Sequence, residues 1–303
     1  MKTKLGLLII LICFFKNTVW AMTESERDNK IDEFVVHFGN SEAELALEIA
    51  EDLSASFPED PYFNILKSRA IGQLIKNKIL EGYKLKNIRN GPYFQELSTR
   101  FYAEIDSGLK KLEGDNSVKG KYLRGVLLGS KGTFVQIFIA EFNILSPIKS
   151  RNNYQAADKL GANGLELIME ALEEDPSLCP AKFVIAKTKY EMSKLGFVER
   201  TIISNSNSLT FKLLGRNFDV GEAWDWINQT YWCASPYYYQ KEINWDKIFV
   251  YKEMTMDYCI NGNLDKDGHK RLLEILDVLC NKFPKNNQIR KEKNIVEFHL
   301  DRF

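Results

Sequence analysis

Residues 43–61 read AELALEIAEDLSASFPEDP, and the spacing within this stretch decides the fold class. Ala46, Ile49, Ala50, Leu53 and Phe57 recur at three- and four-residue steps, which lays one apolar stripe along an α-helix. Ser41 and Glu44 have the spacing of a capping box at its start. Working outward, Leu165, Ile168, Met169 and Leu172 repeat the pattern, as do Leu272, Ile275, Leu276, Leu279 and Phe283. No clear alternation of apolar and polar residues lies between turn signals. The chain reads as all-α.

Helix starts carry more information than the stripes. Asp60-Pro61, Asp175-Pro176 and Ser235-Pro236 each put a capping side chain before a proline at the first helical position. Asp115 adds a start without proline, and the series Asp60, Asp115, Asp175, Ser235 is almost evenly spaced. A chain of stacked helical hairpins, each burying its open face on the next, produces such regularity. The expected helices are 25–37, 41–56, 61–80, 93–113, 116–145, 148–174, 177–195, 219–233, 237–260, 265–283 and 287–300. Residues 81–92 and 196–218 read as irregular connections, the second carrying the polar run Ser204-Asn205-Ser206-Asn207-Ser208.

Segment 1–21 has the layout of a secretory signal: Lys2 and Lys4, the apolar run Leu5 to Phe15, and Val19-Trp20-Ala21 as a cleavage site. The run is too short to span a bilayer, which takes roughly 20 residues. Cys13 sits inside it behind Ile12, which argues against lipid attachment. The organisation expected is a signal peptide at 1–21, a helical repeat region at 22–195, the loop 196–218, and further hairpins at 219–303. Formal charge is zero and the pI is about 6.9, so nothing electrostatic points to nucleic acid or anionic membrane. No later segment is apolar enough to cross a membrane. The periplasm is the expected location.

Four cysteines follow the signal: Cys179, Cys233, Cys259 and Cys280. None forms a CxxC pair, so metal binding by paired thiolates is not expected. Free, half-buried thiols are the plain reading, and a Cys259–Cys280 bridge across one hairpin is the specific alternative. Gly125, Gly129 and Gly132 fall in one helix, and Ala157, Gly161 and Gly164 in a later one. Each glycine costs a helix about 1 kcal/mol against alanine. Close approach of the two backbones would offset that cost. A phosphate-binding loop is unsupported, because no strand precedes Gly125 and no GK[ST] occurs.

The stretch Ala171-Leu172-Glu173-Glu174-Asp175-Pro176 resembles the end of a tetratricopeptide repeat, and Ala181, Ala186 and Tyr190 fall near the positions that open the next. Ala43 to Pro61 is similar, as is Leu272 to Asn286 with Phe283-Pro284. The resemblance is to a degenerate, exported bacterial form of that superfamily, and it covers about two-thirds of the mature chain. The steps from Asp60 to Asp115 and on to Asp175 are nearly twice the consensus repeat length. The resemblance implies an α-solenoid or superhelix whose concave surface holds a peptide or a partner protein.

Chemistry has few footholds. His37, His269 and His299 are scattered, with no HExxH and no GxSxG. Glu173 and Glu174 lie at a helix end, where solvation explains them. Asn263 to Glu274 has calcium-loop spacing, with Asp265, Asp267 and Gly268 at positions 3, 5 and 6 and Glu274 at 12. Asn at position 1 and Lys270 at position 8 count against it, and a polar turn capped by Asp265 or Asp267 explains the same residues.

The aromatic residues are the anomaly. Trp224, Trp226, Trp232 and Trp245 crowd into one short stretch, joined by Tyr231, Tyr237, Tyr238 and Tyr239. Such side chains pair an apolar body with a polar tip, which suits a partly wet binding surface or a C-terminal subdomain core. Three consecutive tyrosines cannot all face one core. These eight residues are the expected binding positions for a protein or peptide partner. The expectation is therefore a non-enzymatic scaffold without metal or cofactor. A carrier of a small apolar or amphiphilic ligand is the alternative, and a helical hydrolase the third reading.

Overall fold

The computed structural model describes residues 22–81, 88–139, 147–194, 208–215, 220–231 and 240–302. The expected signal, residues 1–21, and the Ser235-Pro236 start lie outside them. Among the described residues there is no strand, and no helix is long and apolar enough to cross a membrane. The helices are α1 (Glu24–Gly39), α2 (Ala43–Ser56), α3 (Tyr62–Leu80), α4 (Pro92–Lys111), α5 (Val118–Phe134), α6 (Pro147–Glu174), α7 (Cys179–Ser193), α8 (Leu209–Leu214), α9 (Val220–Tyr231), α10 (Gln240–Ile260), α11 (Lys266–Lys282) and α12 (Asn287–Leu300). A π-helical turn, Val135–Ile139, continues α5. Packing runs mainly between chain neighbours, from α1 to α7 and again from α10 to α12, while α8 lies on α6 and α9 chiefly on α7.

Several starts differ from the expected ones for local reasons. Ser41 does not cap α2. Its φ is 62°, and it ends α1 in a left-handed turn in which the Ser41 and Glu42 amides donate to the Phe38 and His37 carbonyls. The capping box instead opens α1, where Thr23 and Glu26 bond reciprocally. Asp60 does serve the first turn of α3, accepting from the Tyr62 amide at 3.0 Å. Asp115 and Asp175 each accept from the amide two residues on, at Ser117 and Ser177, and so shape the turns before their helices. Ser117 is the actual cap of α5, and α7 begins at Cys179 with Pro180 in its first turn. Within the stretch read as loop, Leu209–Leu214 is helical, with Asp158 of α6 accepting from the Leu209 and Thr210 amides and the Ser208 hydroxyl.

Gly125, Gly132 and Gly164 do what their helix cost demands, in the most extensive helix pair among the described residues, whereas Gly129 and Gly161 have room for a Cβ. A Cβ placed on Gly125 would lie 2.5 Å from the Gly164 carbonyl oxygen, and one on Gly164 would lie 2.5 Å from the Gly125 carbonyl oxygen. At Gly132 it would lie 2.9 Å from the Ala157 carbonyl oxygen. The backbones meet directly.

The last hairpins return to the first. Helix α10 packs on α1 and α7 as well as on α9 and α11. Arg69 of α3 pairs through both terminal nitrogens with Asp246 of α10, at 3.0 and 2.9 Å. Gly39, at the end of α1, lies so close to the Phe283 ring that a Cβ there would overlap it. The Asn286 amide group donates to the Gly39 carbonyl, and the Lys285 amide to the Asn40 side chain. Helix α10 is thus an internal strut, with buried residues spread around its circumference: Lys247, Val250, Lys252, Met254, Thr255, Met256 and Cys259.

Candidate functional site: the aromatic segment and its strut

Helix α9 presents Ala223, Ile227 and Thr230 to the core, at the four- and three-residue steps of a helical stripe. Trp224 and Trp226 sit on opposite shoulders of that stripe, both partly buried. Trp224 turns towards α10, meeting the Tyr251 ring edge-on at 4.9 Å and the Tyr258 ring at 6.4 Å. Trp245 lies elsewhere on α10, edge-on to Phe283 at 5.4 Å, with the Lys282 ammonium 5.2 Å from its ring centroid. Tyr231 closes α9, and Trp232, Tyr237, Tyr238 and Tyr239 lie outside the described residues. Among the aromatics that are described, Trp224 and Trp245 therefore knit different helices together, and Trp226 stands on the remaining flank of α9.

Charged side chains fix α9 and α10 in place. Lys189 of α7 donates to the Leu214 carbonyl and to Glu222 on α9. Lys247 donates to the Thr230 carbonyl at the end of α9, and burial pushes its pKa down. Lys252 pairs with Glu292 of α12 at 2.6 Å, both nearly buried. Tyr190, near the end of α7, donates to Asp257 at 2.7 Å. Burial, and then the bond to that carboxylate, raise the Tyr190 pKa far above the ordinary phenol value. Sequence spacing showed none of these links, because each joins residues far apart in the chain.

The histidines fall at helix junctions. His37 meets Glu42 at 2.8 Å, and the Lys285 ammonium reaches the other oxygen of the same carboxylate at 2.5 Å. Those two bonds hold the Glu42 pKa below the ordinary carboxylate value. His269 lies 3.3 Å from the Cys259 sulfur, within reach for thiol–imidazole chemistry. That thiol is fully buried, and burial pushes its pKa up. An inaccessible, protonated thiol is a poor nucleophile.

The calcium-loop reading does not survive the geometry. Helix α11 begins at Lys266, so Asp267 and Glu274 lie two turns apart on it, about 10 Å along the axis. Both cannot reach one ion. Asp265 is the cap of α11, accepting from the Gly268 amide at 2.7 Å. The Cys259–Cys280 bridge is likewise absent, both thiols being free, whereas Cys179 is disulfide-bonded to a partner outside the described residues.

Two further features escaped the sequence reading. Phe134 stacks on Phe101 with ring centroids 4.0 Å apart and is flanked by Phe94, Tyr102 and Phe138. Most of its partners lie on a different helix, so no window of sequence reveals the cluster. A hollow of about 360 Å³ lies among Glu59, Asp60, Lys111, Asp115, Lys119 and Leu123, with Lys111 anchored to Asn64 at 2.7 Å.

No protein-family model, curated protein or solved structure matches the chain. The class that the fold defines is an all-helical protein whose helices pack mainly on their chain neighbours.

Proposed function

We propose that this chain is an exported, non-enzymatic scaffold that binds a peptide or partner protein through its helical surface, with the flank of α9 carrying Trp226 as the anchor. The observation that carries the reading is a second tryptophan on the shoulder of α9 away from α10. Trp224 and Trp226 are both partly buried against the core, Trp224 beside the Tyr251 and Tyr258 rings and Trp226 on the other side of a helix tied down by Lys189 and Lys247, so part of each indole remains open to a partner. A large amphipathic side chain on a fixed base is the kind of group that carries binding energy. The repeat-like motifs at 43–61 and 171–190 support a tetratricopeptide-like ancestry for the stacked hairpins. The contacts of α10 with α1 and α3 join the last hairpins to the first, and the reading accordingly takes the aromatic edge as the contact surface. Export is supported by the leader-like segment 1–21 and by the Cys179 disulfide, a bond that persists in oxidising compartments.

The test compares two variants of the mature chain, immobilised and exposed to an envelope extract. Trp226→Ala is expected to abolish capture of a specific partner while the chain stays folded, with circular dichroism unaltered and only part of its melting temperature lost, since the indole also packs on the core. Trp224→Ala is expected to lower the melting temperature, because it empties the box against α10. Equal capture by wild type and Trp226→Ala would reject the reading. A lipid co-purifying with the native protein in native mass spectrometry would replace it with the carrier.

A further inference from the structure

Three helix ends meet beyond the scaffold surface. Cys259 is in the last turn of α10, His269 in the first turn of α11, and His299 in the last turn of α12. The topology makes this meeting necessary. Helix α11 turns back after the short connection 261–265, and α12 turns back again, so α12 ends where α11 began. Lys252 meets Glu292 and Cys259 meets His299, an equal step further along both helices, which sets α10 and α12 parallel and in register.

We propose that Cys259, His269 and His299 bind one thiophilic d10 metal ion, Zn2+ or Cu+, at this end of the hairpins. Their ligand atoms already lie within 4.8 Å of one another, and the Cys259 sulfur is 3.3 Å from Nε2 of His269. Ligands around a four-coordinate zinc, with bonds of about 2.3 Å to sulfur and about 2.0 Å to nitrogen, stand roughly 3.5 Å apart. On this proposal the ligand atoms draw in by about 1 Å as the ion binds, His299, the partly exposed member, moving most.

The second layer is built as such sites require. Nδ1 of His269 lies 2.8 Å from the Asp265 carbonyl, which can only accept, so Nδ1 carries the proton and Nε2 presents its lone pair towards the sulfur. That carbonyl is itself fixed, because Asp265 is the cap of α11 and accepts the Gly268 amide through its carboxylate. Cys259 and His269 are buried, whereas His299 is partly exposed and offers the ion its path from solvent. One thiolate with two imidazoles selects copper or zinc over calcium or magnesium, which take oxygen ligands. On binding, the thiol proton is released to solvent, the sulfur–metal bond replaces the sulfur–hydrogen bond, and both imidazoles stay neutral. No electron moves.

The competing account is a plain S–H···N hydrogen bond with His299 stacked on His269, ring centroids 6.0 Å apart. Metal titration separates the two. The mature chain, purified with its disulfide intact, would be stripped with chelator and titrated with Co2+ as a zinc probe, with Zn2+ in competition, and with Cu+ under anaerobic conditions. The expected result is one ion per chain, a thiolate-to-cobalt charge-transfer band, and a rise in melting temperature on adding Zn2+ or Cu+. Cys259→Ser should abolish the band. His299→Ala, at a partly exposed position where the fold tolerates change, should weaken binding at least tenfold with unaltered circular dichroism. Absence of stoichiometric binding by either ion, or binding that His299→Ala and Cys259→Ser both leave unchanged, would overturn the proposal.

Discussion

The seam between α5 and α6 and the surroundings of α10 bury helix faces by opposite chemistries. At the seam two backbones touch, through Gly125, Gly132 and Gly164, where side chains would otherwise stand between them. Around α10 side chains do much of the joining: Arg69 to Asp246, Tyr190 to Asp257, Lys252 to Glu292. The seam derives its stability from the absence of side chains and the strut from particular ones. A seam therefore tolerates no added atom, whereas a strut tolerates no lost partner.

The strut predicts the largest single effect. Replacing Lys252 with Met leaves Glu292 in a nearly buried position with its ion-pair partner gone, which costs about 3–5 kcal/mol. The double change Lys252→Met with Glu292→Leu should recover most of that, since apolar residues of similar volume often replace a buried pair at little cost. Denaturant unfolding of the single and double variants measures both. A single variant as stable as wild type would show that the pair is solvated, and α10 would lose its standing as an internal element.

The seam predicts a smaller effect with a built-in control. Gly164→Ala places a methyl group 2.5 Å from the Gly125 carbonyl oxygen and 2.9 Å from the Gly129 amide nitrogen, and neither can swing aside as a side chain would. Overpacking of this kind costs about 2–3 kcal/mol, more than the ~1 kcal/mol that alanine gains by helix propensity. Gly129→Ala has open space at its Cβ and should instead stabilise the protein by up to about 1 kcal/mol. Thermal melts of the two variants should shift in opposite directions. Shifts of the same sign would mean that the helices can slide apart.

These two regions also explain what the sequence made legible. Small residues at helical spacing in two long helices are a local pattern with one economical cause, and Gly125 and Gly164 are found where that cause puts them. Apolar stripes were readable for the same reason, down to Ala46, Ala50 and Leu53 facing the core of α2. Caps were readable only when the cap and its helix were contiguous. Asp158 caps α8 from the middle of another helix, and Ser41 obeys the end of α1 instead of the start of α2. Among the described aromatics, Trp224 and Trp226 are two residues apart and a helix points such neighbours to opposite shoulders, which the run of aromatic letters does not convey. The grouping of Cys259, His269 and His299 depends on three helix ends coming into register, which spacing along the chain does not encode.

The closure between first and last hairpins predicts the smallest effect, and it has a definite sign. Glu42, between α1 and α2, accepts from Lys285 and from His37, and these bonds hold its folded pKa below the ordinary value of 4.5. A carboxyl with a depressed folded pKa contributes stability that is complete above its unfolded value and fades as pH falls through the folded one. Lys285 is well exposed, so solvent screening keeps the contribution to about 0.5 kcal/mol or less. Urea unfolding of wild type and Glu42→Gln should therefore differ slightly but constantly near neutral pH, and the difference should shrink below pH 4.5 and vanish in stronger acid. Added salt should shrink it at neutral pH as well. A difference that survives acid and salt unchanged would mean that Glu42 acts by packing instead of charge, and that the closure rests on the Gly39–Phe283 contact and the uncharged bonds of Asn40 and Asn286.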